Sequence, residues 1–365
     1  MSETVKKKSI AKKILLIVAI VLAVILTIVG GYVAYVFIAF HRLGTFDVTA
    51  EGTAAAAYAT TGTEYKIVSY NIGFGAYEAD YDFFMDGGKQ SRAPSKERLD
   101  KNMKNIATFL SDQKADFYFV QEVDFNSTRT YHVDERDYLI AALTEKSYTF
   151  AQNYDSPYLF YPVFCPHGAS KSGLMTYSFA KINSAKRIEL PIETGVSKLL
   201  DLDRCYSKNR VSVDNGKELV IYNFHLSAYT TDGTIATEQL NLILADMEDE
   251  YAKGNYVIGG GDFNKDLLGD SSKYFGKADK SYTWAQPIPE GTFDKYHLSL
   301  VAPINEAEPV PSCRNADAAY HKGQFVVTLD GFITSDNVTA SSSAVIDTGF
   351  AYSDHNPVEM RFVLG

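Results

Sequence analysis

The chain has 365 residues, of which 46% are apolar, so it can bury a sizeable core and is not a disordered polypeptide. Its formal net charge of −10 argues against a basic nucleic-acid clamp, though a local basic patch remains compatible with it. The 25 tyrosines and 22 phenylalanines suit a β-rich core. Cys165, Cys205 and Cys313 lie far apart without metal-ligand spacing and cannot all pair. That excludes a disulfide framework and leaves three buried thiols as the expectation.

Lys6, Lys7, Lys8, Lys12 and Lys13 precede an apolar run from Ile14 to Phe40 whose only ionisable side chains are tyrosines. The run exceeds the roughly 20 residues needed to span a bilayer and is too long for the apolar part of a cleavable signal peptide. With lysines before it and only His41 and Arg42 close behind, the positive-inside rule predicts a cytoplasmic tail over residues 1–13 and a signal-anchor helix over 14–40. All that follows is then extracellular. Residues 41–64 contain the alanine run Ala54–Ala57 and several threonines and glycines, and read as a linker that lifts the globular part off the membrane.

From residue 65 to 365 one catalytic-domain-sized segment remains. Tyr65–Tyr70 reads as a strand ending at Asn71, and a polar loop without a clear period runs from Tyr77 to Pro94. Leu99, Met103, Ile106 and Leu110 recur at helical spacing, so Ser95–Leu110 is predicted as an amphipathic helix that starts at Ser95. Asp116–Val120 is a buried strand that delivers Glu122. Further strands are expected at Gly173–Phe179 and at Leu219–Phe224, which delivers His225. A second helix covers Thr237–Tyr251. It leads to Tyr256-Val257-Ile258-Gly259-Gly260-Gly261-Asp262-Phe263-Asn264, an apolar strand whose three glycines leave room for backbone or ligand at its end. Strand alternation continued through that end would send Asp262 and Asn264 to one side. Phe325–Leu329 is predicted to deliver Asp330, and Ser353-Asp354-His355-Asn356-Pro357 leads into a closing strand, Val358–Val363.

Asn71, Glu122, His225, Asp262, Asn264, Asp330, Asp354 and His355 thus each stand just beyond an apolar run, where loops at strand ends converge. Hard oxygen donors with few nitrogens favour Mg²⁺ or Mn²⁺ over zinc. The histidines suit proton transfer and hydrogen bonding to a phosphoryl group. Singly, an Asn or Asp after a strand is usually a turn residue and a lone His usually structural. Glu122 is the exception, since a charge at a core edge needs a reason. Strands with turns and few helices point to packed sheets with helices outside.

The segments Ser69-Tyr70-Asn71, Gln121-Glu122-Val123-Asp124, Asn223-Phe224-His225-Leu226, Gly261-Asp262-Phe263-Asn264, Leu329-Asp330-Gly331-Phe332 and Ser353-Asp354-His355-Asn356-Pro357-Val358 come in an order that resembles the endonuclease/exonuclease/phosphatase superfamily, which includes DNase I, neutral sphingomyelinases and inositol polyphosphate 5-phosphatases. The resemblance runs from about residue 65 to the carboxyl end. It implies an α/β (α+β) four-layer sandwich of two packed sheets flanked by helices, and a Mg²⁺- or Mn²⁺-dependent phosphoric ester hydrolase. It also implies roles. Asn71, Glu122 and Asp354 resemble the metal-site residues, with Glu122 the principal ligand. Asp262 and Asn264 resemble the pair that orients or deprotonates the nucleophile. His355 resembles the histidine at the scissile phosphate, held by Asp330, and His225 resembles a second histidine that the abasic-site endonuclease branch usually lacks.

One departure is that no clear counterpart exists for the basic or tyrosine residue that several branches aim at the phosphate. Lys171, His167 and Arg210 are the candidates. The expected substrate is a phosphodiester, nucleic acid or a phospholipid head group. A DNase I-like nuclease ranks ahead of a sphingomyelinase-like lipid phosphodiesterase, an inositol-phosphate-type phosphatase and a non-catalytic surface module. Phe83-Phe84-Met85 is a modest candidate for membrane contact, and Trp284 and the aromatic stretch Tyr158–Phe164 for lining a cleft. No protein partner is predicted.

Overall fold

The computed structural model describes residues 2–195, 198, 203–228, 233–276, 284–305 and 307–365. It divides into two compact units, Met1–His41 and Arg42–Gly365. The first is a single helix, α1 (Ser2–Ala39), within which Ile10–Ala39 is long and apolar enough to cross a membrane. The side chains of residues 1–9, and so those of Lys6, Lys7 and Lys8, lie outside those described.

The second unit opens with β1 (Phe46–Val48), β2 (Glu51–Gly52) and β3 (Glu64–Asn71), followed by α2 (Lys96–Asp112), β4 (Phe117–Asp124) and α3 (Glu135–Ala142). Next come β5 (Ser147–Asp155), β6 (Lys171–Ser178), β7 (Ile182–Glu189), β8 (Cys205–Ser212), β9 (Glu218–His225), α4 (Thr234–Ala252) and β10 (Tyr256–Asp262). The chain closes with α5 (Ser272–Phe275), β11 (Leu298–Val301), β12 (Cys313–Arg314), β13 (Val326–Val327), β14 (Asp330–Ser335), β15 (Val338–Val345) and β16 (Val358–Leu364).

Among the described residues two mixed seven-stranded sheets form, ordered β1-β7-β8-β9-β10-β14-β11 and β15-β16-β3-β4-β6-β5-β2. Alternation along single strands decides the layering. On β4, Phe117 and Phe119 point to the partner sheet and join Ile67, Ile221, Ile258, Phe332 and Met360. Tyr118 and Val120 point the other way, onto Leu99, Met103, Ile106 and Leu110 of α2. On β9, Val220, Tyr222 and Phe224 meet Leu240, Leu244 and Met247 of α4. The order is helix, sheet, sheet, helix, as expected. Ser95 caps α2, its hydroxyl accepting from the Arg98 amide at 3.1 Å.

The pairing directions gather the functional residues. β3 runs parallel to β4 and β9 parallel to β10, and the Asn71–Asp262 bond across the sheets brings all four carboxyl ends together. β14 and β16 run antiparallel to β10 and β3, which brings their amino ends to the same edge.

The structure differs from the sequence reading in several places. Residues 44–63 are not a free tether within the second unit. Phe46–Val48 pairs with β7, Glu51–Gly52 pairs with β5, and Ala59 is fully buried with its amide on the Ser212 carbonyl. Small residues there allow close packing on sheet edges, which composition alone reads as flexibility. The Phe325–Leu329 strand shrinks to Val326–Val327, which pairs with β12, and β14 starts at Asp330 itself. Cys205 and Cys313 are buried thiols but Cys165 is exposed, because it sits on an outlying loop.

Candidate active site

Asn71 ends β3 and bridges the two sheets: its Nδ2 donates to Glu122 Oε1 and to Asp262 Oδ2, at 3.1 Å each. Its Oδ1 accepts from the Gly73 amide at 3.0 Å. Glu122 owes its aim to a bulge. The register of β4 against β6 slips between Val120 and Val123, and Glu122 adopts φ +57°, a left-handed conformation that a bulge enforces. Gln121 consequently stays between the sheets, donating to Asn223 Oδ1 at 2.8 Å, while Glu122 turns into a cleft of about 290 Å³.

Asp262 closes β10 opposite Asp330 of β14. Its Oδ2 collects Asn71, His225 Nε2 at 3.5 Å and His355 Nε2 at 3.7 Å. Its Oδ1 accepts from the Asn264 amide at 2.8 Å, and Asn264 Nδ2 donates to the Leu226 carbonyl at 2.8 Å. Asn264 has φ +47°, so an Asx-type turn sets this pair and not continued strand alternation. The glycines before it make room for protein, not for ligand. A Cβ on Gly260 would stand 2.7 Å from the Phe332 ring, and one on Gly261, which has φ +139°, would stand 1.9 Å from the Phe224 carbonyl.

His355 Nδ1 lies 2.8 Å from Asp330 Oδ2, which also accepts from the Ser312 hydroxyl at 2.7 Å. Ser353 fastens this last loop to β3, its hydroxyl donating to the Asn71 carbonyl at 2.8 Å. Asp354 follows, facing the cleft beside Glu122 and Arg314.

Burial dominates the electrostatics. It pushes the Asp262 carboxyl up to about 7, with Asp330 adding to the rise and His355 opposing it. Glu122 is raised by burial and by Asp354 against Arg129, and Asp354 by burial against His355 and Arg314. Burial works against charge on His355 too, yet the adjacent Asp330 and Cys313 hold it well above the ordinary histidine range. His225 goes the opposite way, kept neutral by burial, Arg204 and His355, and its Nδ1 has no hydrogen-bond partner among the described residues. One cleft therefore holds an imidazolium and a neutral imidazole on the same carboxylate.

The carboxylates of Glu122 and Asp354 open on the cleft, with the buried Asn71 bonded to Glu122, and both carboxylates are destabilised as anions by burial, Glu122 also by Asp354. That donor set fits Mg²⁺ or Mn²⁺. Asp262, Asp330 and His355 also bring ligand atoms within 4.8 Å of one another. There, however, His355 Nδ1 is already engaged by Asp330, so the imidazolium itself supplies the positive charge.

All eight sequence-predicted residues border this one edge. The candidates for a phosphate-facing cation do not fare alike. Arg210 is committed to Glu218 and Glu250 against α4, and Lys171 pairs with Asp155 at 3.5 Å. His167 lines the cleft but is pushed down to about 4 by burial and Arg129. Arg314 and two further arginines, all missed by sequence reasoning, line it instead. Arg129 forms a bidentate pair with Asp124, 2.8 Å at each contact, and lies 3.8 Å over the Phe74 ring. Arg204 reaches the His225 carbonyl at 3.4 Å. Neither stands in a motif, and only the fold brings them here. Trp284, Phe83 and Met85 line the cleft as apolar walls, whereas Phe160, Tyr161 and Phe164 do not.

A family model described as the Endonuclease/Exonuclease/phosphatase family matches residues 68–355. A comparison with curated proteins gives no match. Among solved structures, an endonuclease/exonuclease/phosphatase from Beutenbergia cavernae DSM 12333 is similar at a TM-score of 0.55 and 16% identity, over 83% of this chain and 72% of that one. ANGEL2, a 2′,3′-cyclic phosphatase in complex with adenosine-2′,3′-vanadate, is similar at 0.56 and 15% identity, over 87% and 99%. A protein from Bacteroides vulgatus gives 0.52 and 14% identity, over 83% and 100%. At these identities the likeness is one of fold.

Proposed function

Because the chain belongs to the endonuclease/exonuclease/phosphatase family, whose members are hydrolases acting on phosphoesters, we propose that it is a membrane-anchored, divalent-metal-dependent phosphodiesterase. The observation that carries this is the convergence of Asn71, His225 and His355 on Oδ2 of Asp262, at 3.1, 3.5 and 3.7 Å. Asp262, raised to about 7, is poised to take a proton from water near neutral pH. Asn71 and the Asn264 amide hold its two oxygens in place, so the carboxylate is oriented before substrate arrives. His355, protonated and fixed by Asp330, offers its Nε2 side to a phosphoryl oxygen on which charge develops. His225, neutral, completes the hydrogen-bonding wall. Glu122, Asp354 and Asn71 would hold Mg²⁺ or Mn²⁺, which when bound supplies charge neutralisation at the phosphoryl and leaving oxygens.

In this reading residues 1–13 are a cytoplasmic tail, 14–40 span the cell membrane, and the folded unit lies outside the cell, supported by the lysines before the span. Nucleic acid is the preferred substrate. A lipid head group is the second reading, favoured by the apolar wall of Phe83, Met85 and Trp284. The test is hydrolysis by the full chain in detergent with Mg²⁺ or Mn²⁺. Supercoiled plasmid, a 2′,3′-cyclic nucleotide and sphingomyelin are offered in parallel, with His355→Ala as control. Plasmid nicking lost in the variant supports the nuclease, and sphingomyelin turnover alone reverses the order. No turnover of any of the three, with no thermal stabilisation by either metal, removes the enzyme reading.

A further inference from the structure

Between β5 and β6 the chain reads Ser156-Pro157-Tyr158-Leu159-Phe160-Tyr161-Pro162-Val163-Phe164-Cys165, without one charged side chain. Phe160 is 52% exposed, Tyr161 65%, Val163 59% and Phe164 fully, and Met85 beside them is 46% exposed. Soluble surfaces scatter single apolar residues, but they rarely present an aromatic group of this kind contiguously.

The loop is braced. Leu159 and Gly168 exchange amide-to-carbonyl bonds at 3.1 Å, and the His167 amide donates to the Tyr161 carbonyl at 3.0 Å. From below, Ser91 Oγ donates to the Cys165 carbonyl and Arg92 Nε to the Pro166 carbonyl, both at 2.5 Å. The Tyr161 ring meets Phe84 at 5.7 Å, and Phe83 and Met85 continue from there into the cleft. The aromatics are therefore held outward on a fixed shelf at the cleft rim.

Two positions say what covers the shelf. It leaves β5 at Asp155 and enters β6 at Lys171, the end where β6 pairs with Asp124 of β4, so it stands at the catalytic edge. Arg42, the first residue of the folded unit, is held at that edge as well. Its Nε donates to Asp203 Oδ1 and its Nη2 to the Leu190 carbonyl, both at 2.7 Å, next to the cleft-lining Arg204 and the β8 start that pairs with the end of β9. The covalent path to the apolar helix thus leaves the folded unit on its catalytic edge.

We infer that the Phe160–Phe164 shelf, with Met85, is a docking surface for a lipid bilayer, entering the interfacial layer beside the cleft. Aromatic side chains favour that layer, and apolar burial with no basic residue in the loop requires no anionic lipid. The inference rests on the anchor reading given above, in that the span tethers the folded unit to a bilayer through Arg42.

Cys165 is exposed while Cys205 and Cys313 are buried, so it takes an environment-sensitive fluorophore selectively. The labelled full chain is reconstituted into phosphatidylcholine vesicles that carry nitroxide phosphatidylcholine. The expected result is a blue-shifted emission, mostly quenched by the lipid-borne nitroxide and little by aqueous iodide. In Tyr161→Asp/Phe164→Asp, labelled likewise, the quenching preference reverses while hydrolysis of a soluble phosphodiester is retained. Quenching by iodide alone overturns the proposal. So does a blue shift that follows protein concentration and ignores the lipid quencher, which would assign the shelf to a second copy. Carbonate extraction is read in parallel. A chain released by carbonate whose label is still lipid-quenched supports the shelf and refutes the anchor, and a chain retained with an iodide-quenched label does the reverse.

Discussion

The Asp262 carboxyl is pushed up to about 7 by burial first and Asp330 second, against the pull of His355. A carboxyl raised above its unfolded value of 3.8 keeps a proton that the unfolded chain has released, so between about pH 4 and 7 stability falls as pH rises. Asp262→Asn removes this contribution. In chelator, its melting temperature is expected to exceed that of the native chain at pH 8 by a few degrees, at roughly 2–4 °C per kcal/mol, and by less at pH 5. Equal differences at the two pH values would contradict the burial argument. Asp330 acts on His355 with the opposite sign, since it holds the imidazole protonated. Asp330→Asn should lower turnover by roughly 10²–10⁴-fold and move the alkaline limb of the pH–rate profile to lower pH. An unmoved limb would mean that Asp330 serves only packing through Ser312.

At the scale of elements, β10 is held where two neighbours leave no space. Gly261 combines φ +139° with the Phe224 carbonyl 1.9 Å from any Cβ, and that carbonyl belongs to the β9 backbone. Gly261→Ala must part β9 from β10, so it is expected to cost more than about 4 kcal/mol and to yield little folded protein, as read by expression and circular dichroism. The end of α4 is tied down by charge. Glu250 is 1% exposed and accepts from Lys208 at 2.8 Å, Arg210 at 2.6 Å and Asn255 at 2.9 Å. Burial alone would raise its carboxyl, but Arg210, Lys208 and Lys253 hold it far below the usual range. Its stabilisation is therefore present above the unfolded value of 4.5 and is lost as pH falls through the folded one. Glu250→Ala leaves Lys208 with Asp246 alone and Arg210 with Glu218 alone, and should cost about 2 kcal/mol in urea unfolding at pH 7. A loss below about 1 kcal/mol would show the cluster to behave as an exposed one.

Across the whole molecule, the catalytic edge exists only while the two sheets keep their relative position. Phe119 stands between them with Phe332, whereas Leu244 stands between one sheet and α4. Each change to alanine should cost about 2–5 kcal/mol. Phe119→Ala is expected also to lower turnover per folded molecule by shifting Asn71 relative to Asp262, and Leu244→Ala is not. Kinetics normalised to folded fraction decide this. The sequence by itself determined the strands and helices whose pattern is local: β3, β4, β9, β10, α2 and α4 follow from apolar runs and helical spacing. It also determined which chemistry stands at their ends, because residue types are read directly. Strands such as β7 and β15 escaped, since both carry exposed polar side chains and lack an apolar run, β15 at a sheet edge and β7 covered only by the short β1. Only the tertiary structure decided that residues 46–59 belong to the sheets, that a bulge turns Glu122 into the cleft, and that an Asx turn sets Asn264. It likewise brought Arg129 and Arg204 to the cleft and left Arg210 on α4. Each of these depends on register and packing between segments far apart in the chain, which no local pattern encodes.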